Sequence, residues 1–269
     1  MKNFFILLLN LCIKCKRGQI AERAAGLTLS VLLAFFPFLV FLMSLMGFLN
    51  LNTDEILSGL YYALPGDDIT SLVSYFVTQR SETRSAGLLS ATLAFCLFNT
   101  SNGFRAVIRY TNMAYDVHEQ RGFFAQVGLS FTLMLLFSAA LIIMLGLLVF
   151  GRQLWSYIFP FGPEFFFTAI SAITALIVLF IFTSYIYKSA CAKSIPLKHI
   201  FPGAAFTVFS WVIVSAVFGF IMQHFTHFPA IYGSIAGVFI LTIWLNCVAI
   251  VLLIGSEINA LLYESGKIF

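Results

Sequence analysis

Residues 231–264 read IYGSIAGVFILTIWLNCVAIVLLIGSEINALLYE, which is long and apolar enough to cross a membrane as one helix. At about 100° per residue, small residues and a tryptophan share one side of this helix: Gly233, Gly237, Trp244, Val251 and Gly255. Polar residues share roughly the opposite side: Thr242, Asn246, Glu257 and Glu264. Because neither side suits lipid, we predict a central helix whose two sides meet other helices or water.

Three glycines and one acid on this helix are candidate packing and binding residues. Gly233 and Gly237 form a G-x-x-x-G pair, which lets another backbone approach closely, and Gly255 continues the same face. Glu257 carries a charge that is costly within a membrane unless it meets a partner or a wet cavity. The competing interpretation is that Glu257 lies at the level of the lipid headgroups and has no special role.

The composition identifies the class of protein. Hydrophobic residues make up 61% of the 269 residues and charged residues 10%, with a mean hydropathy of +0.98. Soluble domains are roughly 45–50% apolar and 25% charged. We therefore predict an all-α, polytopic membrane protein. Its length suits a single bundle of six helices, since each crossing takes about 20 residues.

The chain divides into one membrane domain, residues 1–269, with a short segment at each end. Residues 1–23 form an N-terminal segment whose apolar part, residues 3–13, predicts an interfacial helix. Residues 24–263 form the six-helix bundle, and residues 264–269 form a tail. An exterior loop, residues 50–85, is too polar to cross and predicts two short amphipathic helices around its Pro-Gly turn.

Apolar runs place the crossings along the chain. The predicted ranges are residues 24–49, a second crossing that starts near residue 86, then 123–150, 165–187, 200–222 and 231–264. Pro37 lies near the middle of the first crossing, where it removes a backbone donor and predicts a kink or hinge. Pro202 and Gly203 are interpreted as the start of the fifth crossing.

The second crossing turns polar early and predicts a binding surface. If it continues as a helix to residue 116, five polar residues fall within about 80° of arc: Asn102, Arg105, Arg109, Asn112 and Asp116. Together with Asn246 and Glu257, we take Asn102, Arg105, Arg109 and Asn112 as candidate substrate-binding residues. The competing interpretation is a helix that emerges into the cytoplasm, with its arginines reaching toward lipid phosphates.

The basic residues predict the orientation. In the six-crossing arrangement, twelve lysines and arginines fall on one side and three on the other, which places both termini in the cytoplasm. The net charge of +4 therefore reflects membrane topology, and we expect no nucleic-acid partner.

Motifs for catalysis or cofactors are weak. Cys12-x-x-Cys15 lacks a second pair, and His224-x-x-His227 lacks a third ligand, so we expect neither a metal site nor a cofactor. The chain has no G-x-S-x-G motif and no phosphate-binding G-x-x-x-x-G-K-[ST] loop. We expect no catalytic residues and no enzymatic activity.

Several short motifs, in order and spacing, carry a family resemblance. They are Ala24-Ala25-Gly26-Leu27 running to Pro37, Asn112-x-x-Tyr115 with Glu119-x-Arg121, Pro202-Gly203-Ala204 with Trp211, and Tyr232-Gly233-x-x-x-Gly237 through Trp244 to Gly255-Ser256-Glu257-Ile258-Asn259. This pattern resembles the YihY/BrkB family of bacterial inner-membrane proteins. The resemblance implies six helices with cytoplasmic termini. Members have often been labelled ribonuclease BN. We reject that label for this chain because its sequence shows no clustered metal site for hydrolysis and no soluble RNA-binding surface.

The leading hypothesis is a transporter or flippase-like protein for an anionic amphipathic lipid or envelope precursor. Arginines at the cytoplasmic leaflet suit phosphate headgroups, so membrane lipids are the expected partners. The alternative is a non-transporting scaffold for envelope-assembly partners, and a homo-oligomer or a membrane-protein partner fits either hypothesis. An intramembrane enzyme is the weakest of the three. We further expect Glu257 to pair with Arg105 or Arg109 and so to close one end of a cavity.

Overall fold

The fold is a bundle of α-helices. The computed structural model describes residues 19–48, 86–158, 164–224 and 235–266, together with residues 11, 13, 14 and 16. The described helices are α1 (Ile20–Phe48), α2 (Ala86–Ala114), α3 (Phe123–Ile158), α4 (Glu164–Ala190), α5 (Leu197–His224) and α6 (Ile235–Glu264). No strand occurs within these ranges, which confirms the all-α prediction for the part of the chain that they cover.

Four of the helices are long and apolar enough to cross a membrane. Their spans are Phe123–Leu141, Phe166–Ala190, Leu197–Met222 and Gly237–Glu264. α1 and α2 have 29 residues each. Their crossing of the membrane stays a prediction. Pro37 lies inside α1, and the helix continues on both sides of it. The bend expected there also stays a prediction.

Two helices lie at the centre of the bundle. α6 packs against α5, α1 and α2, while α2 packs against α1, α3, α4 and α6. Among the four apolar spans, the α6 span has the largest buried share. The predicted central position of the last helix is therefore confirmed, although α2 shares it.

The end of α2 differs from the predicted helix through residue 116. Asp116 adopts a left-handed conformation with φ of 50°, and the amide of Val117 donates to the carbonyl oxygen of Asn112 at 3.0 Å. A second bond, from the amide of Asp116 to the carbonyl of Met113, completes a Schellman motif that ends the helix at Ala114. Asp116 therefore does not belong to the helical stripe that contains Arg105 and Arg109.

The start of α5 also differs from the prediction. α5 begins at Leu197, so Pro202 lies in the second turn of the helix and not at its start. Pro196 comes directly before the helix, and its carbonyl oxygen accepts the amide of His199 at 3.0 Å. The earlier proline thus takes the position that favours a helix start.

The chain enters α1 through a sharp turn at Gln19. This residue has a φ of 47°, and its carbonyl oxygen accepts the amide of Arg23 at 3.1 Å. Non-glycine residues rarely adopt positive φ, so the backbone changes direction at Gln19 and does not continue as a regular helix. It directs the residues before α1 toward the end of α6, where Lys14 makes its contacts.

Several predicted features lie outside the described residues. They are the interfacial helix except for residues 11 and 13, the exterior loop 50–85, Gly233, Cys12, Cys15 and His227. Gly237 is described and buried. The predicted G-x-x-x-G contact is therefore not tested.

Candidate functional site

The polar face of α6 meets α1 and the residues that precede it. The side-chain amide of Asn246 donates to Thr28 Oγ1 at 3.2 Å. Further along α6, Glu257 lies 3.7 Å from Arg23, and Glu264 lies 2.9 Å from Lys14. We call these six residues the α1–α6 seam. The seam confirms that the two sides of α6 meet different neighbours.

Glu257 is the buried charge of the seam. Its side chain is 3% exposed, and its two carboxylate oxygens lie 4.0 Å from Lys14 Nζ and 3.7 Å from Arg23 Nη1. These are ion-pair distances, but they are longer than hydrogen bonds. Among the described residues, no donor forms a hydrogen bond to Oε2 of Glu257. A buried carboxylate is costly, and two nearby cations offset that cost.

The expected pairing of Glu257 with Arg105 or Arg109 is wrong. The guanidinium of Arg105 lies 5.5 Å from the centre of the Phe123 ring, and that of Arg109 lies 5.3 Å from the Tyr110 ring. Both arginines therefore contact aromatic rings, while α1 supplies the cation that faces Glu257. The arginine beside Glu257 therefore comes from the first turn of α1 and not, as the sequence pattern predicts, from α2.

Asn112 is buried and fully engaged in holding two loops. Its amide nitrogen donates to Glu119 Oε2 at 2.7 Å, and its amide oxygen accepts the backbone amide of Ala192 at 2.7 Å. The first contact fixes the α2–α3 connection, and the second fixes the α4–α5 connection. Asn102, by contrast, is half-buried. The structure thus shows a structural role for Asn112, and its predicted part in substrate binding is untested.

Arg121 completes this junction. Its Nε and Nη2 donate to the two carboxylate oxygens of Glu119 at 2.7 and 2.8 Å. Nη1 and Nη2 also donate to the carbonyl oxygens of Ser189 and Ala190 at 2.8 and 2.6 Å. These are terminal carbonyls of α4, which lack helical donors and carry the negative end of the helix dipole. We call Asn112, Glu119 and Arg121 the loop junction.

The contacts of the loop junction change the pKa of Glu119. Burial alone would raise the pKa of Glu119, but the hydrogen bonds and charge of Arg121, with the Asn112 amide, hold that pKa below its ordinary value of 4.5. The folded protein therefore binds a proton at Glu119 less readily than the unfolded chain does. The contribution of ionised Glu119 to folding stability is therefore fully present when the pH is above the ordinary pKa of 4.5. It is lost as the pH falls through the lower pKa that Glu119 has in the folded protein.

We expect acid to weaken the wild-type protein more than the Glu119→Gln variant. Thermal unfolding in detergent, measured between pH 7 and pH 3, should show the wild-type melting temperature falling more steeply below about pH 4.5. The control is Glu22→Gln, because Glu22 is exposed in the first turn of α1. Identical acid sensitivity of the wild type and Glu119→Gln would contradict a depressed pKa at Glu119.

The opposite face of α6 is bonded to α4 and α5. The Tyr187 hydroxyl of α4 is fully buried, donates to the Leu252 carbonyl oxygen at 2.7 Å and lies 2.7 Å from Thr207 Oγ1. The indole nitrogen of Trp211 donates to the Val248 carbonyl oxygen at 3.0 Å. These side-chain bonds to the backbone of α6 fix the three helices as one unit.

A close backbone contact lies beside those bonds. A Cβ placed on Gly203 would collide with the carbonyl oxygen of Gly255 and with the Asn259 side chain. The amide of Gly203 donates to Asn259 Oδ1 at 2.7 Å. Gly255 of α6 thus lies against Gly203 of α5. We call Gly203, Gly255 and Asn259 the glycine contact.

Reasoning from residue types missed the roles of Arg121, Gly203 and Asn259, although these residues belong to the motifs of the family resemblance. A signal was present for the last two. Gly203 and Thr207 are four residues apart, as are Gly255 and Asn259, which places a glycine and a polar residue on one face of each helix. No such signal exists in the sequence for the bonds from Arg121 to α4, because the two carbonyl oxygens that accept them belong to a helix end 68 and 69 residues away.

Within the described ranges, no three His, Cys, Asp or Glu side chains come together where they could hold a metal ion. The described side chains at this end of the bundle form ion pairs, amide hydrogen bonds and contacts with aromatic rings. Such groups bind and position charged molecules.

The known proteins that are similar to this chain include membrane proteins. Over 253 residues the chain is 34% identical to a putative ribonuclease-like protein, YfkH, of Bacillus subtilis, covering 92% of this chain and 91% of that protein. It is 24% identical over 259 residues to a UPF0761 membrane protein of Pseudoalteromonas atlantica, covering 91% and 82% of the two chains. A UPF0761 membrane protein of Tolumonas auensis is 33% identical over 79 residues, covering 29% and 26%.

No solved structure matches the chain. The model of the family described as virulence factor BrkB matches residues 12–267, which includes the α1–α6 seam, the loop junction and the glycine contact. With four helices suited to crossing a membrane, the chain is a membrane protein that belongs to the BrkB virulence factor family.

Proposed function

We propose that this protein is a transporter or flippase-like protein for an anionic amphipathic lipid, and that the α1–α6 seam is the path it opens. The observation that carries the proposal is Glu257, a 3% exposed carboxylate that faces two cations at ion-pair distance. Such a group is costly to keep in an apolar bundle and is a functional candidate by default. An anionic headgroup would compete with Glu257 for Arg23 and Lys14.

The bonding of the bundle supports opening at this seam. α6 is joined to α5 by the glycine contact and by hydrogen bonds of 2.7 and 3.0 Å. Its polar contacts with α1 are longer, at 3.2 Å between Asn246 and Thr28 and 3.7 Å between Glu257 and Arg23. Apart from the 2.9 Å bond between Lys14 and the exposed Glu264 at the end of the seam, separation of α1 from α6 therefore breaks longer polar contacts than separation of α5 from α6.

The extent of the seam also suits a path across a bilayer. Asn246 and Glu264 are 18 residues apart on α6, which corresponds to about 27 Å along the helix axis. That length is close to the roughly 30 Å of a bilayer hydrocarbon core. We place the protein in the bacterial inner membrane with both termini in the cytoplasm, so the Glu257 end of the seam opens toward the cytoplasmic leaflet.

Glu257→Gln is expected to reduce lipid transport at least about tenfold while the fold is retained. The amide keeps the shape of the side chain but no longer competes as an anion for Arg23 and Lys14. The assay is transfer of fluorescent phosphatidylglycerol between leaflets of proteoliposomes, with melting temperature measured on the same preparations. Glu22→Gln, one residue from Arg23 and exposed, is the matched control and should transport at the wild-type rate.

Two results would count against the proposal. If Glu257→Gln lowers the melting temperature by more than roughly 10 °C, the carboxylate serves the fold, because that shift corresponds to several kcal/mol. If wild-type vesicles transfer lipid no faster than empty vesicles, while the purified protein retains one stoichiometric protein partner, the scaffold alternative replaces transport.

A further inference from the structure

We propose that Arg105 and Arg109 of α2, together with Phe123 and Phe124 of α3, bind the headgroup of an anionic phospholipid from the surrounding bilayer. We call these four residues the α2–α3 corner. The corner lies apart from the α1–α6 seam, and binding there does not require transport. Its role as the place where the substrate is first held rests on the proposed function.

The two arginines differ from the others whose side chains are described. Arg23 pairs with Glu257, and Arg121 pairs with Glu119. Within the part of the chain that the structure describes, no carboxylate oxygen lies within 4.0 Å of a nitrogen of Arg105 or Arg109. Their charges are therefore not balanced by an acidic side chain there. A phosphate group supplies that balance and accepts two parallel bonds from a guanidinium.

The depth of the α2–α3 corner in the bilayer corresponds to that of the lipid headgroups. Phe123 is the first residue of a membrane-spanning segment, and the Arg105 guanidinium lies over its ring. Arg109 is one turn further toward the end of α2, about 6 Å along the axis. The headgroup region extends about 5–7 Å beyond the hydrocarbon core on each side. Both guanidinium groups therefore lie within reach of lipid phosphates.

The surface beside the arginines suits an acyl chain. Phe123 is 65% exposed and Phe124 is 87% exposed, so the two rings present an apolar surface beside the arginines. Phe131 and Leu135 continue the exposed face of Phe124 along α3 at helical spacing. Gly128 lies between Phe124 and Phe131, and nothing approaches within 4 Å of the space where its side chain would be. The exposed apolar face of α3 thus runs along the helix away from the two charges.

The test compares lipid binding by the intact chain with and without the two charges. Purified protein is titrated with phosphatidylglycerol and, separately, with phosphatidylcholine, and bound lipid is counted by native mass spectrometry. The variant is Arg105→Gln with Arg109→Gln. Each basic residue near an anionic surface changes affinity roughly fivefold, so we expect the preference for phosphatidylglycerol to fall about tenfold or more.

The matched control removes two other charges from the same end of the bundle. Lys188 lies in the last turn of α4 and Lys198 in the first turn of α5, and both are exposed. Lys188→Gln with Lys198→Gln should keep the wild-type preference. An equal loss in both double variants would overturn the site, because the preference would then follow net charge alone.

Three further outcomes distinguish the α2–α3 corner from a simple anion site and from the transport path. Free glycerol 3-phosphate that displaces phosphatidylglycerol at an equal concentration would overturn a lipid site in favour of a simple anion site. Normal lipid preference in the arginine variant, with transport intact, would overturn the site and leave the proposed function standing. Lost preference in that variant, with no transport by the wild type, would support the site while the proposed function fails.

Discussion

Gly203→Ala is expected to destabilise the bundle by about 3 kcal/mol or more, or to prevent folding altogether. The added methyl group would meet the carbonyl oxygen of Gly255, which is backbone of α6 and cannot rotate away. It would also displace the Asn259 side chain that accepts the Gly203 amide. α5 and α6 would have to separate, and the neighbouring bonds from Tyr187 and Trp211 to α6 would lengthen with them.

Thermal unfolding in detergent and the yield of monodisperse protein measure this effect. A loss of about 3 kcal/mol corresponds to a fall in melting temperature of roughly 10 °C. Gly219→Ala is the matched control, since Gly219 lies on the same helix and nothing lies within 4 Å of its added Cβ. It should leave stability equal or slightly raised, because alanine favours a helix over glycine. Equal stability of the two variants would show that α5 and α6 are not in backbone contact.

Arg121→Gln is expected to have the second largest effect, a loss of about 2–4 kcal/mol. The guanidinium bonds both oxygens of Glu119 and two terminal carbonyls of α4, and its side chain is only 25% exposed. Glutamine has too few donors to serve all four acceptors. Arg121→Lys should recover little of the loss, since an ammonium group lacks the planar fork that matches a carboxylate.

The melting temperature of Arg121→Gln should fall by roughly 5–10 °C. Arg109→Gln, an exposed arginine on α2, is the control and should change stability by no more than about 0.5 kcal/mol. The double variant of Arg121→Gln with Glu119→Gln measures their coupling. Additive effects in that cycle would contradict a shared junction, because residues in contact are not independent.

The sequence predicted the helices well and their ends less well. Long apolar runs give strong signals, so among the described residues a helix is found at each of the six predicted crossings. The end of α2 at Ala114 was missed because Asp116 adopts a left-handed conformation that favours glycine and asparagine. The fifth crossing is predicted to begin at residue 200, whereas α5 begins three residues earlier, at Leu197, directly after Pro196.

The site was predicted in part. The two faces of α6 and the buried position of Glu257 follow from helical periodicity, which is a local property of the sequence. The partner of Glu257 does not follow, because a rotation of one helix against another decides which cation is nearest. Arg23 of α1 and the arginines of α2 lie at similar levels by residue counting. Only the packing of α1 against α6 distinguishes them.

The bond between Lys14 and Glu264 joins residues 250 positions apart, so it can form only after α6 has been synthesised. Arg23 and Glu257 are separated nearly as widely. At 5–20 residues per second, α1 waits roughly 10–50 s for the helix that completes its polar face. Its contacts with α2 can form during that interval, because α2 precedes α6 along the chain. A chain that lacks α6 therefore leaves Arg23 without the carboxylate of Glu257.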